Sequence, residues 1–441
     1  MSYENRVLLK HSLASVVALG LTGLARFLYS ILVARWFGPE ELGAANSLIS
    51  KAFFLAIPLS FFAVALGKYS SEFLGRNKNE DIKSLTLPSF ALPLAGLLIV
   101  PINVYLGLIA TLRAFQLTLR SFLYGIHRGE HYAYIMLASF LGFLCGFVFM
   151  FSIFSPYILF LSASATLGLG YLIRFELLGM PTREGFRLLT SYSAFAFLGT
   201  LSGVFLIQGP YFMSEYLGGT ATAGEVSAVL STAFLLTYLP QVLQSAVMPI
   251  LSYKYGQGSK GYIKKLAEKT TEFLILITGL VVFLMMLLGN DFLSFLFSFR
   301  IGNSFYLALM AIEIYIAYNP SIVALNSTAY VRYGTLVSGA GALAGALLWA
   351  ILIPRFQSLG AMVGLLAAYG IILIGTATLS KRLLNLNPGI YTPLLLALLL
   401  QASAFTSKYL LAAAFLVFLY TQRKTIKEVI KVFRAFRGRV L

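Results

Sequence analysis

The stretch RWFGPEELG, residues 35–43, separates two apolar runs, residues 10–36 and 44–68. Each run is long enough to cross a hydrocarbon core as a helix, and so short a turn requires the two helices to be antiparallel. At a rise of about 1.5 Å per residue, Arg26 in the first helix and Lys51 in the second lie roughly 15 Å from the turn. The sequence therefore predicts two cations near the midplane of a membrane, where a charge is costly unless it faces a polar interior. Such an interior suits an anionic cargo.

The composition excludes a soluble domain. Of the 441 residues, 59% are hydrophobic and only 11% are charged, and the mean hydropathy is +0.84. These values are typical of a polytopic membrane protein. A single cysteine and three histidines exclude a disulfide framework and a cysteine or histidine metal cluster, so no cofactor is predicted.

The net charge of +17 follows the predicted loops of one membrane side. Of the 33 lysines and arginines, 25 fall in the N-terminus, in every second loop and in the C-terminal tail, four in the opposite loops and four inside spans. By the positive-inside rule, this asymmetry predicts that both termini are cytoplasmic in a multi-pass protein of the cell membrane. It also argues against a nucleic-acid partner.

Hydropathy predicts an all-α polytopic membrane protein with about fourteen transmembrane helices. Residues 52–55 and 233–236 match at an offset of 181 residues, which predicts two six-helix halves in the same orientation, parallel repeats around a central cavity. A C-terminal two-helix hairpin follows them. The predicted domains are an N-terminal half (residues 1–175), a cytoplasmic linker (176–187), a C-terminal half (188–380), helices thirteen and fourteen (381–420) and a basic amphipathic tail (421–441).

The fourth predicted span contains Arg113, Gln116 and Arg120. Their spacing of three and four residues places them on one helical face, which predicts a polar stripe facing the cavity. Arginine suits a diphosphate because its planar guanidinium forms paired, charge-assisted hydrogen bonds. In the alternative interpretation, Arg113 reaches the outer interface of the membrane.

Four further polar side chains fall in the second half. Gln208, Gln241 and Gln244 are candidates for hydrogen bonds to sugar hydroxyls, or for hydrogen bonds between helices. Glu313 is either a structural partner of a buried cation or a coupling site for a proton or a sodium ion. Against the four buried cations, Glu313 is the one clear carboxylate predicted inside a span.

Three other stretches carry specific expectations. Pro88, Pro93 and Pro101 in the third span predict a kinked or broken helix. Residues 215–225, with three glycines, are predicted to form an outer turn. The tail, residues 421–441, has apolar residues at helical spacing among seven cations, which predicts an interfacial helix on the anionic inner leaflet.

Residues 35–43, read as Arg-Trp-Phe-Gly-Pro-Glu-Glu-Leu-Gly, resemble the opening motif Arg-x-Leu-Gly-Pro-Glu-x-Phe/Tyr-Gly of a transporter family. This family is the polysaccharide-transport branch, the flippases of lipid-linked oligosaccharides, of the multidrug/oligosaccharidyl-lipid/polysaccharide (MOP) exporter superfamily. The resemblance implies a flippase for undecaprenyl- or dolichyl-linked saccharides. Related peptidoglycan-precursor flippases have fourteen spans and a cationic cavity, a pattern that Arg26 and Lys51 fit. The first span lacks the acidic residue that many exporters of the multidrug branch use.

The expected function is movement of a prenyl-diphosphate-linked oligosaccharide or polysaccharide precursor from the inner to the outer leaflet by alternating access. The expected partners are this substrate, the anionic inner leaflet and a coupling ion, H⁺ or Na⁺, and the expected state is a monomer without enzymatic activity. A cation-coupled multidrug exporter on the same fold is the alternative. A membrane glycosyltransferase is disfavoured because Glu40 and Glu41 lie in a turn too short to form a donor site.

Overall fold

The computed structural model describes residues 3–242, 251, 254–255, 259–328 and 330–428. Throughout these residues the secondary structure is helical, and no strand is found among them. The chain divides into two compact units, Met1–Ser227 and Ala228–Leu441. The boundaries of the domains expected from the sequence stay a prediction.

The first unit is built from antiparallel helices joined by short turns. In the described residues its helices are α1 (Tyr3–Phe37), α2 (Pro39–Leu59), α3 (Ala63–Gly75), α4 (Asn79–Ala91), α5 (Val104–Gly125), α6 (Gly129–Val148), α7 (Ser155–Arg174) and α8 (Arg183–Ala233), the last of which continues into the second unit.

The predicted hairpin of α1 and α2 is confirmed, and its turn is a single residue. Gly38 adopts φ 89° and ψ 175°, a conformation that a residue with a Cβ atom rarely adopts. Pro39 then begins α2, where its fixed φ suits the first helical position. Glu40 and Glu41 in the first turn favour the positive end of the helix dipole.

The third span is interrupted, as its prolines predict. After α4 the chain tightens into a 3₁₀ helix, Leu92–Ile99, which has Pro93 near its start. A proline lacks the backbone N–H that a continuing α-helix needs, so the change of helix type follows from the sequence. Asn103 caps the next helix by accepting a hydrogen bond from the backbone of Leu106 at 2.9 Å.

A turn is present within residues 215–225, where an outer turn is expected, but it is confined to one residue. Helix α8 continues to this point and is interrupted only at Gly219, with φ 84° and ψ 172°. Glu215 therefore lies inside a helix, one turn before the interruption. The glycines at 218 and 224 do not break the helix because glycine permits a turn but does not impose one.

In the first unit, the helical segments that follow Gly38 and Gly219 contact each other closely at two glycines. A Cβ atom on Gly43 would overlap the carbonyl oxygen of Thr220, and one on Gly224 would overlap the carbonyl oxygen of Pro39. Thr220 and Gly224 lie 181 residues after Pro39 and Gly43, respectively. The contact is thus reciprocal between equivalent positions, as at a two-fold interface.

The second unit consists of longer helices, two of them interrupted. In the described residues they are α9 (Lys260–Phe297), α10 (Ser304–Asn326), α11 (Val331–Leu384), α12 (Thr392–Gln401) and α13 (Lys408–Thr421). Helix α9 is interrupted at Gly289, which leaves a last segment too short to cross a membrane, and α11 is interrupted at Gln357.

The described residues account for the fourteen predicted spans. Ten stretches are long and apolar enough to cross a membrane, and two of these, Ala196–Val242 and Val331–Leu384, divide into two spans each at Gly219 and Gln357. Helix α5 and the shorter apolar α13 occupy the remaining two positions. The predicted fold class, an all-α polytopic membrane protein, is confirmed.

Candidate functional site

Arg26 is the centre of the candidate site in the first unit. Its side chain projects from the middle of α1 and is only 9% exposed. Nη2 donates to the hydroxyl of Ser50 on α2 at 3.1 Å, and Nη1 donates to Oε1 of Gln208 on α8 at 3.1 Å. The bond to Ser50, the residue before Lys51, confirms that the two predicted cations lie at the same level of the hairpin.

Helix α8 contributes an aromatic surface as well as the amide. The guanidinium of Arg26 lies 4.3 Å from the ring centroid of Tyr211, which is fully buried, and 6.0 Å from that of Phe53. Each such cation–π contact contributes about 0.5–2 kcal/mol. These groups are neutral, so they orient the guanidinium without cancelling its charge.

Among the described residues, no carboxylate pairs with Arg26. Its Nε atom is buried and has no hydrogen-bond partner there. A buried donor without a partner costs about 1–3 kcal/mol. The guanidinium of Arg26 therefore carries a positive charge that no described carboxylate neutralises.

Lys51 is in a different electrostatic situation. Its Nζ donates to Oε2 of Glu215 on α8 at 2.5 Å, and the Ser47 hydroxyl donates to the same oxygen at 2.6 Å. The side chains of Lys51 and Glu215 are 44% and 25% exposed. Glu215, which the sequence places in the outer turn, instead lies in the last helical turn before Gly219 and neutralises Lys51.

The stripe on α5 adds a second guanidinium near the first. Arg113 lies 4.6 Å from the Phe53 ring centroid and hydrogen-bonds to Oε1 of Gln116. Gln116 is fully buried, and its amide contacts the sulfur of Met136 at 3.4 Å. Phe53 thus lies beside both Arg26 and Arg113.

Arg120 lies two turns further along α5 and is half-buried. It interacts electrostatically with the hydroxyls of Tyr124 and Tyr132. Seven residues of helix separate it from Arg113 by about 10 Å along the axis. The structure therefore brings Arg26, Lys51, Arg113, Gln116 and Gln208 together in one region of the first unit and leaves Arg120 further along the stripe.

Sequence reasoning missed Ser47, Ser50, Tyr211 and Glu215. A helical projection that starts at Gln208 places the side chains three and seven residues later on the same face, and these are Tyr211 and Glu215. The signal was present in the sequence, but the three nearby glycines favoured an outer turn.

Glu313 forms a separate polar pair in the second unit. It is fully buried on α10, and the amide of Gln401 donates to its Oε2 at 2.6 Å. Its other oxygen has no hydrogen-bond partner among the described residues, and no cation of the described part of this unit pairs with it. An ionised carboxylate in such surroundings is strongly disfavoured, so this pair suits an uncharged, protonated acid.

The two remaining predicted glutamines are Gln241 and Gln244. Gln241 lies in the second unit near the end of a described helical stretch and is partly exposed. Gln244 lies outside the described residues. The same holds for most of the amphipathic tail, of which only residues up to 428 are described.

Comparison by sequence finds no matching protein family and no matching curated protein. Comparison by structure finds clear similarity to solved transporters. An inward-facing multidrug resistance MATE family transporter of the MOP superfamily superposes with a TM-score of 0.67 at 12% identity, covering 84% of this chain and 98% of the other. The lipid II flippase MurJ, in an inward closed conformation, gives 0.62 at 13% identity, covering 93% and 99%.

A third similar structure is a MOP superfamily transporter from Pyrococcus furiosus, with a TM-score of 0.60 at 13% identity and coverage of 88% and 96%. Its binding pocket is described as having a reverse polarity that suggests a different function. At these identities the similarity defines the fold. The chain has the multi-pass helical fold of these MATE and MurJ structures, as the resemblance in the sequence implies.

Proposed function

We propose that this protein is a transporter that moves a prenyl-diphosphate-linked oligosaccharide or polysaccharide precursor from the inner to the outer leaflet by alternating access. The single observation that carries the proposal is Arg26. It is a guanidinium buried at the middle of a membrane-spanning hairpin, and its described partners, a hydroxyl, an amide and two aromatic rings, are all neutral.

The charge of this site favours an anionic cargo over a cationic one. Removing one partner of a buried ion pair costs several kcal/mol, which is why buried charges are normally paired. A cargo diphosphate supplies the missing negative charge at Arg26, and each new charge-assisted hydrogen bond contributes about 1.5–3 kcal/mol. Arg113, which also lies beside the ring of Phe53, is close enough to this region to add to the positive potential.

The other chemical groups of the cargo match the side chains that surround Arg26. The aromatic rings of Phe53 and Tyr211 offer faces for sugar rings, and Gln116 and Gln208 offer amides for hydroxyls. The prenyl chain stays in the hydrocarbon of the membrane. On this proposal the protein resides in the cell membrane with both termini in the cytoplasm, acts as a monomer and uses H⁺ or Na⁺ to reset the cycle.

The test is flipping of a fluorescent lipid-linked oligosaccharide in proteoliposomes. We expect Arg26→Ala to reduce the flipping rate by about 100-fold or more, which corresponds to the loss of one or two charge-assisted bonds. Arg26→Lys should recover only part of the rate because a lysine lacks the planar pair of donors. A thermal melt of each variant is the control for folding. Normal flipping by Arg26→Ala would refute the anion-binding role.

A cation-coupled multidrug exporter is the second candidate, favoured by the similarity to MATE structures and by the buried carboxylate of Glu313. It predicts an ion flux that a cationic drug stimulates and that Arg26→Ala does not reduce. Measurement of proton and sodium flux in the same proteoliposomes separates the two candidates.

A further inference from the structure

The proposed function does not by itself explain the ion pair between Lys51 and Glu215. A purely anion-binding site gains nothing from a carboxylate, yet Glu215 lies on the α8 face that also presents Gln208 and Tyr211 to Arg26. The carboxylate therefore lies within the candidate site and competes with any anion for Lys51.

The pair is built so that it can open. The side chains of Lys51 and Glu215 are 44% and 25% exposed, whereas Arg26 is 9% exposed. Partly exposed ion pairs contribute little net stability, typically about 0–1 kcal/mol. The hydroxyl of Ser47, which donates to the same carboxylate oxygen, holds Glu215 in place.

The net charge of Arg26, Lys51 and Glu215 determines how much negative charge the candidate site accepts from a cargo. Arg26 has no carboxylate partner among the described residues, while the charges of Lys51 and Glu215 cancel. A cargo with one negative charge is neutralised by Arg26 alone. A second negative charge on the same cargo is satisfied by Lys51 only after Glu215 releases it.

We propose, on the basis of the proposed function, that Glu215 is a specificity-determining residue that occupies Lys51 until a diphosphate displaces it. A diphosphate ester carries two negative charges and gains from both cations, whereas a phosphodiester headgroup carries one and leaves the ion pair closed. The site thereby discriminates against the phosphodiester lipids that surround it in the membrane. Discrimination of this kind rests on an internal competitor rather than on a better contact.

The test compares binding of two probes to the full-length protein in detergent by titration calorimetry. Dibutyl diphosphate, the diester with one butyl group on each phosphate, is the dianionic probe and dibutyl phosphate is the monoanionic probe. We expect Glu215→Gln to raise the affinity ratio of the first probe over the second by about tenfold, the equivalent of one modest charge-assisted contact. The general effect of deleting a negative charge acts more strongly on the dianionic probe, so it is measured separately, by comparing Lys51→Met with Lys51→Met combined with Glu215→Gln.

Lys51 should be required for the change. In Lys51→Met, and in Lys51→Met combined with Glu215→Gln, we expect the ratio to fall to within about twofold of unity, since only Arg26 then binds either probe. Glu41→Gln, which removes an exposed acid from the same hairpin, is the matched control and should leave the ratio unchanged.

Ser47→Ala provides a second variant that keeps every charge. It should raise the ratio by about threefold, because Glu215 loses a hydrogen bond that holds it on Lys51. An unchanged ratio in both Glu215→Gln and Ser47→Ala would overturn the inference and leave Glu215 as a structural partner. That result is distinct from failure of the proposed function, which is read from flipping by the Arg26 variants.

Discussion

The turns at Gly38 and Gly219 have nearly the same backbone, although they lie 181 residues apart. Their φ and ψ angles are 89° and 175° in the first and 84° and 172° in the second. The helices that follow them contact each other reciprocally at Gly43 and Gly224, which are separated by the same 181 residues. The backbone of the two copies has therefore been preserved closely at this point.

The side chains near these turns differ in charge. Arg26 and Lys51 in the first copy correspond to Ile207 and Thr232 in the second, at the same offset. One copy provides two cations at mid-membrane, and the other provides an isoleucine and a hydroxyl. The repeated backbone therefore supplies the frame, while the departures from the repeat supply the chemistry of the candidate site.

The largest expected effect comes from moving the charge between copies. Arg26→Ile should reduce flipping by about 100-fold or more, and adding Ile207→Arg should not restore it, because Ser50, Gln208 and Phe53 contact the side chain at position 26. The measurement is the flipping rate in proteoliposomes. Recovery of flipping in the double variant would show that the charge itself matters and that its partners do not.

The reciprocal glycine contact should be equally sensitive on both sides. Gly43→Ala and Gly224→Ala should each reduce the free energy of unfolding by about 1–3 kcal/mol, because the added methyl group overlaps a backbone carbonyl that cannot rotate away. Gly20→Ala and Gly203→Ala are the controls, since a Cβ atom there meets nothing within 4 Å. The measurement is a denaturant or thermal melt in detergent. Unequal losses at positions 43 and 224 would argue against an equivalent role of the two turns.

Substitutions of Gln208 are expected to change stability and transport in opposite directions. Gln208→Glu would give Arg26 the carboxylate it lacks, so we expect a gain in stability of about 1 kcal/mol, the difference between a neutral and a charge-assisted bond. The same change should reduce flipping, because the anion site is then occupied. Gln208→Leu is the control and should lower stability while leaving the charge unpaired. A variant Gln208→Glu that is both more stable and fully active would contradict the proposed role of the free charge.

The smallest stability effect is expected at Glu313. Glu313→Gln keeps the shape of a side chain whose described partner is a neutral amide, so stability should change by less than about 1 kcal/mol. If Glu313 is the coupling residue, stimulation of flipping by an imposed proton gradient should disappear, with the rate in the absence of a gradient unchanged. A retained response to the gradient would assign the coupling to another group.

Much of the fold was predictable because a membrane leaves few choices. The backbone groups of residues in hydrocarbon must bond within one helix, so hydropathy and the spacing of turns predict the spans directly. The turn at Gly38 and the broken third span followed from glycine and proline alone. The turn near residue 219 was placed less well, since three glycines offered three positions for one interruption.

The candidate site was predictable only where a charged or strongly polar residue interrupts an apolar membrane-spanning segment. Arg26 stands out in an apolar run, and the stripe of Arg113 and Gln116 stands out by its spacing. Glu215 did not stand out, because a carboxylate near a glycine turn is typical of a solvent-exposed loop. Ser47 and Ser50 did not stand out either, because a serine is tolerated at almost any depth of a membrane helix.

From the amino-acid sequence alone it follows that the chain crosses the membrane repeatedly and that Arg26 and Lys51 lie at the same level of the first hairpin. Hydrophobicity and local backbone preferences act along the chain, so they can be read from it. Only the tertiary structure decided which cation is neutralised. That outcome depends on the rotation of α8, which places Glu215 against Lys51 and only the neutral Gln208 and Tyr211 against Arg26, and the pairing of charges acts across helices that are far apart in sequence.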